Sequence, residues 1–72
     1  MNYSDKIREI AQKKWPKTSR RSFIANCVLA GLSNDAAEYL YDGDGSKRPF
    51  LPTQQIVSKV LRTPKDEIFG TE

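Results

Sequence analysis

The sequence contains no histidine, and its 72 residues include one cysteine, Cys27. Without histidine there is no imidazole base, no histidine-ligated metal site and no Ser-His-Asp or Cys-His triad. A single cysteine excludes an internal disulfide and a four-cysteine zinc site. No apolar run approaches the ~20 residues that a membrane-spanning helix needs. No stretch alternates in the strand period, and there is no internal repeat or low-complexity tail. A domain this short buries only about 60% of the surface its unfolded chain exposes. It holds one small core and leaves little chain for a catalytic pocket, so a binding module is expected and an enzyme is not.

Charge, by contrast, is plentiful and unevenly placed. Charged residues make up 29% and apolar residues 38%, a composition suited to a folded chain. The net charge of +3 divides into three zones. Residues 1–31 carry Lys6, Arg8, Lys13, Lys14, Lys17, Arg20 and Arg21 against Asp5 and Glu9, a balance of +5. Residues 32–46 carry Asp35, Glu38, Asp42 and Asp44 and no cation. Residues 47–72 return to +2. Two basic zones flanking an acidic middle suit a protein that meets phosphates.

Hydrophobic spacing predicts four or five short helices and an all-α bundle. Tyr3, Ile7, Ile10, Ala11 and Lys14 recur at helical spacing and mark a first helix over residues 3–14. Ser4 and Asp5 suit its start, and Trp15-Pro16 ends it. Thr18 or Ser19 is the expected cap of a second helix reaching about Ala30, with Phe23, Ile24, Cys27, Val28 and Ala30 on its apolar face. Gly31 suits the position just past its end. Ser33 caps a third helix, Asn34 to Tyr41, with Ala36, Ala37, Leu40 and Tyr41 inward. Asp42-Gly43-Asp44-Gly45-Ser46 breaks the chain. Pro49 and Pro52 frame Phe50 and Leu51, both available for packing. Thr53 to Leu61 reads as a fourth helix, with Ile56, Val57, Val60 and Leu61 inward. Thr63-Pro64 supplies a capping hydroxyl and a proline at the first helical position of a fifth, which places Ile68 and Phe69 in the core. Cys27 is expected to be a small buried residue, Trp15 a plug at a helix end, Tyr41 a core residue and Tyr39 an interface residue.

The second and third helices, joined at Gly31-Leu32-Ser33, have the makings of a tight helix-turn-helix at about residues 19–42. The closing stretch is more specific. Val57-Ser58-Lys59-Val60-Leu61-Arg62-Thr63-Pro64-Lys65-Asp66-Glu67-Ile68-Phe69-Gly70 resembles the pattern I-A-k-a-L-g-v-s-p-d-E-L-F-g that ends the phage-repressor-like (Cro/XRE-type) helix-turn-helix domains. Gly43, Lys47-Arg48 and Pro49 stand where that family has a glycine, basic residues and a proline. Gly31, Leu32 and Ser33 resemble its G-V-S turn, and Cys27, Ala37 and Leu40 fall on its small and apolar positions. The resemblance spans about residues 3–70, as a single domain over residues 1–72. Three departures stand out: Asn26 in place of Leu or Ile, an extra turn between Trp15 and Phe23, and an Asp44-Gly45 insertion.

The resemblance implies a lambda-repressor-like bundle that binds double-stranded DNA specifically, as a transcriptional regulator of the small phage-repressor kind. Its third helix would enter the major groove, with Ser33, Asn34, Asp35, Glu38 and Tyr39 at the bases and Asp42 at the rim. Lys17, Arg20 and Arg21 at the start of the second helix, and Lys47 and Arg48 after the third, would contact phosphates. Asparagine pairs bidentately with adenine, and a carboxylate accepts from cytosine N4. The family commonly binds as a homodimer, for which helix five and the C-terminus (Ile68, Phe69) or Phe50 and Leu51 are the expected surfaces. No cofactor, metal, catalytic residue or small-molecule ligand is expected, and no membrane; the expected location is cytoplasmic, at the nucleoid. Carboxylates on the third helix also repel phosphate, so the alternative is a protein-interaction module whose acidic third helix binds a basic protein partner.

Two local patterns point elsewhere and fail on physical grounds. Ser19-Arg20-Arg21-Ser22-Phe23-Ile24 resembles a twin-arginine export signal, but the apolar run after it is short, contains Asn26 and has no A-x-A cleavage site. Asp42-Gly43-Asp44-Gly45-Ser46 resembles half of an EF-hand loop, but Lys47 stands in place of the required glycine and Thr53 in place of the bidentate glutamate.

Overall fold

The apolar stripes become the inner faces of five helices: α1 (Tyr3–Lys14), α2 (Ser19–Leu29), α3 (Asn34–Asp42), α4 (Leu51–Leu61) and α5 (Lys65–Phe69). The structure is a computed structural model and describes residues 2–43, 45 and 47–70. No strand occurs among them, so the chain is an all-α bundle. The sequence insertion falls partly on Asp44, and the EF-hand resemblance on Asp44 and Ser46, which lie outside the described residues.

Helix α1 buries Tyr3, Ile7 and Ala11, with Ile10 packed against the edge of the core. Its cap is Asn2, whose side-chain oxygen accepts from the Asp5 N–H at 2.9 Å. Ser4 and Asp5 therefore do not cap it, because asparagine one turn earlier already meets the open N–H groups. Ser4 faces inward and is fully buried. The helix ends at Trp15, which packs partly against the core. The Lys14 ammonium lies 5.7 Å from the Trp15 ring centroid, within cation–π range.

Helix α2 buries Phe23, Ile24 and Cys27. Val28 and Ala30 are exposed, contrary to the sequence expectation, because only the side of α2 that carries Phe23, Ile24 and Cys27 faces the core; Leu29 is 85% exposed on the outward side. Asn26 is also exposed, and its amide donates back to the Ser22 carbonyl at 2.7 Å. Gly31, with φ of 114°, makes the turn into α3 in a conformation that L side chains rarely adopt. Leu32 packs against the core from within the turn, and its N–H bonds to the Cys27 carbonyl at 3.0 Å. Ser33 caps α3 as expected, accepting from the Ala36 N–H at 3.1 Å. Ala37, Leu40 and Tyr41 are buried beneath it. Ala37 has no exposed surface at all, and its small side chain lets α3 lie close against α2, the most extensive helix pairing in the fold.

Helix α4 starts at Leu51, two residues before the expected Thr53, because proline is tolerated in a first turn whose N–H groups have no helical acceptor. Phe50 and Leu51 do not pack inward: they are 87% and 50% exposed. Val57 and Leu61 are buried, Ile56 and Val60 half-buried. Gln54 is buried too, with its amide donating to the Pro49 carbonyl at 2.8 Å. The helix ends on Arg62 at φ 53°, a left-handed non-glycine residue. The Thr63 hydroxyl donates to the Leu61 carbonyl at 3.1 Å and caps nothing, so α5 starts at Lys65 with Pro64 as its boundary residue. Ile68 and Phe69 enter the core, where Phe69 meets Tyr3 at 5.2 Å between ring centroids and Phe23 meets Tyr41 at 5.7 Å. Among the described residues every buried side-chain polar atom is hydrogen-bonded, and no helix is long and apolar enough to cross a membrane.

Candidate nucleic-acid interface

The inner side of α3 is tied down by groups from two other helices. The Ser4 hydroxyl of α1 donates to the Leu40 carbonyl at 2.9 Å, and an Arg8 guanidinium nitrogen donates to the Tyr41 carbonyl at 2.6 Å. These carbonyls belong to the end of α3, where no further turn satisfies them. The last turn of α3 has no basic residue of its own, and Arg8, which also pairs with Asp5, brings a cation to the negative end of the helix dipole. From α2, the Ser19 and Tyr41 hydroxyls bond at 2.8 Å. At the other end of the 43–48 segment, the Tyr3 hydroxyl donates to the Lys47 carbonyl at 2.6 Å.

These positioning groups are not among the site residues expected from the sequence. Ser4 had a signal: it shares a helical face with Ile7 and Ala11, and a polar group on a buried face requires a partner. Arg8 and Ser19 had none, because their partners lie 33 and 22 residues away.

The outer side of α3 carries Asn34, Glu38 and Asp42 one turn apart, and Arg20 of α2 joins them. Its Nε lies 2.9 and 3.1 Å from the two Asp42 carboxylate oxygens, and its Nη2 lies 2.7 Å from Asp42 Oδ2. The same Nη2 reaches Glu38 Oε1 at 3.1 Å. Glu38 Oε2 accepts from Asn34 Nδ2 at 2.9 Å. The Arg20 guanidinium holds the Asp42 carboxyl below the usual carboxylate range, chiefly by hydrogen bonding. All three members of the ion-pair cluster remain about half exposed.

Four of the expected base-facing residues, Asn34, Asp35, Glu38 and Tyr39, lie on α3, and Ser33 stands just before it. Ser33 is occupied as the α3 cap. Asp35 is exposed, and Tyr39 is 47% exposed on the same helix. Asn34 and Glu38 line a shallow groove with Arg20, Arg21, Ile24 and Ala25, which brings the start of α2 beside the start of α3.

The expected phosphate-facing cations divide as well. Lys17, Arg20 and Arg21 line one open surface at the start of α2. No side chain caps that helix: Thr18 pairs its hydroxyl with Ser22 at 2.9 Å instead. Neither Thr18 nor Ser19 therefore fills the capping role expected from the sequence, since each hydroxyl finds a side-chain partner. Lys17 and Arg21 are exposed, whereas Arg20 is engaged by α3. After α3, Lys47 and Arg48 are exposed, and Arg48 Nη2 donates to the Gly70 carbonyl at 2.6 Å.

Of the proposed dimer surfaces, Ile68 and Phe69 are consumed by the core of the protomer, while Phe50 and Leu51 stay at the surface. Cys27 has no exposed surface, and burial pushes its thiol up to about 12.

No family model, curated protein or solved structure matches this chain.

Proposed function

We propose that this protein is a sequence-specific double-stranded DNA-binding transcriptional regulator, of the small phage-repressor kind, and a binding module with no enzymatic role. Helix α3 enters the major groove. The observation that carries this reading is the two-sidedness of α3. Its inner side is fixed by α1 and α2, while its outer side presents Asn34, Asp35, Glu38 and Tyr39 to solvent. An α-helix fits the major groove, and side chains on its first turns reach base edges.

The uncapped start of α2 beside Lys17 and Arg21 supports a backbone phosphate contact, since a helix N-terminus offers free N–H groups and a positive dipole end. Lys47 and Arg48 supply the second contact after α3. One protomer reaches few bases, and two copies on an inverted repeat double the readout. The exposed Phe50 and Leu51 favour that pairing over α5. Work on DNA places the protein in the cytoplasm, at the nucleoid.

Titration into labelled random duplex DNA by fluorescence anisotropy, at low and near-physiological salt, tests the proposal. Binding that weakens steeply with salt is expected, because neutralised phosphates release counterions. A folded protein that ignores duplex DNA at low salt refutes it. That result favours the second reading, a basic protein partner on α3, which draws on the exposed Asp35 and the exposed ring of Tyr39.

A further inference from the structure

Arg20 stands among the cations that the sequence assigns to phosphate contact, yet its guanidinium is directed at α3. We infer that Arg20 is a positioning residue: it neutralises the outer carboxylates of α3 and, through Glu38, orients the Asn34 amide so that α3 selects adenine. This inference rests on the DNA-binding reading above.

The hydrogen bonds converge on the Glu38 carboxylate. Arg20 Nη2 donates to Glu38 Oε1 at 3.1 Å, and the second Glu38 oxygen accepts from Asn34 Nδ2 at 2.9 Å. A carboxylate is acceptor-only, so it fixes which end of the asparagine amide faces it. The flipped amide would set its oxygen against the carboxylate. With Nδ2 held toward Glu38, Asn34 keeps one free N–H and its carbonyl oxygen. That donor–acceptor pair matches adenine, which offers an acceptor at N7 and a donor at N6. Guanine offers two acceptors there and leaves the Asn34 oxygen opposed to another oxygen.

The same guanidinium clamps Asp42 through Nε and Nη2, at 2.7 to 3.1 Å. Its charge therefore faces two carboxylates at once. Without it, Glu38 and Asp42 would bring uncompensated negative charge to the groove edge beside Asp35. A planar fork serves two acceptors in fixed directions, which a lysine ammonium does not.

The test compares wild type with Arg20→Lys, Arg20→Gln, Asn34→Ala, Glu38→Gln/Asp42→Asn and the triple variant Arg20→Gln/Glu38→Gln/Asp42→Asn. A site is first selected from a random duplex library with the wild-type protein. Affinities are then measured on that site, on versions with each adenine replaced, and on random duplex across a salt series; thermal melting confirms that each variant is folded.

Arg20→Lys is expected to bind random DNA like wild type but to lose roughly tenfold in preference for one adenine, within the range of one bidentate pair. Asn34→Ala should lose the same preference at the same base pair. Arg20→Gln should weaken binding to random DNA, and the triple variant should recover it to the level of Glu38→Gln/Asp42→Asn. The opposite pattern overturns the inference: Arg20→Lys keeps the adenine preference, and the triple variant stays weaker than Glu38→Gln/Asp42→Asn, with a salt slope reduced by about 0.9, the mark of one lost phosphate contact. Wild-type protein that binds no duplex at all removes the DNA-binding reading itself, a distinct outcome.

Discussion

The two sides of α3 are held by different physics. On the inner side, Leu40 is 2% exposed, Ala37 is fully buried, and the carbonyls of Leu40 and Tyr41 are met by Ser4 and Arg8. On the outer side, Asn34, Glu38 and Asp42 are linked to Arg20 by hydrogen bonds and ion pairs open to water. Burial and satisfied backbone groups fix where the helix lies, and losing them is costly. Exposed charge networks are screened by solvent and salt and add little to stability. The outer side can therefore carry chemistry that changes recognition without endangering the fold.

Four substitutions break or sharpen this contrast, beginning with the largest effect. Leu40→Ala should lower the unfolding free energy by about 2–5 kcal/mol, through lost burial and a residual cavity. Chemical denaturation reads it, and a cost below about 1 kcal/mol would mean that the inner side is not what positions α3. Ser4→Ala should cost about 1–3 kcal/mol, because the buried Leu40 carbonyl loses its side-chain donor. The same denaturation series checks it against Leu40→Ala.

The third substitution, Asp42→Asn, should lower the melting temperature slightly at neutral pH. The Asp42 carboxyl is depressed in the folded state, so the unfolded chain takes up its proton first as the solution is acidified. Its stabilisation is present above the ordinary carboxylate value of about 3.9 and fades as pH falls through the lower folded value. Melting curves of wild type and Asp42→Asn should converge in that acid range; a gap that persists there would point to packing instead of charge. The smallest stability effect is expected for Asn34→Ala, within about 0.5 kcal/mol for an exposed side chain. Its signature should appear in base preference, with affinity for random DNA nearly unchanged.

Away from α3, Phe50→Ser tests the surface assigned to pairing. Sedimentation of the protein on an inverted-repeat duplex should show loss of the two-protomer complex, with one-protomer binding retained.

The helices with complete local signals were legible in the sequence. The span of α1 follows from its apolar stripe and the Trp15-Pro16 stop, and the start of α3 from Ser33 after Gly31. Misjudged features depended on competition between neighbouring groups. Asn2 takes the cap from Ser4 and Asp5, and Pro52 lies within the first turn of α4 and not at a boundary before it. Phe50 and Leu51 could pack inward or pair at the surface, because apolar residues beside prolines carry no mark of which way they face. In the candidate site, the helix that carries Asn34, Asp35, Glu38 and Tyr39 was legible from its cap and apolar spacing, and their assignment to a site came from the family resemblance alone. The engagement of Arg20 was not legible, because Glu38 and Asp42 lie 18 and 22 residues away and only the packing of α2 on α3 brings them within reach.

Cys27 sits on the inner face of α2 with no exposed surface, and its thiol is pushed up to about 12 by burial. At neutral pH it therefore offers almost no thiolate to an alkylating reagent. The chain comes ready for site-directed labelling. A cysteine placed on an exposed position such as Gln55 would take up a maleimide dye or a photo-crosslinker alone, so the docking of α3 on a duplex can be mapped one position at a time with the natural thiol left in place.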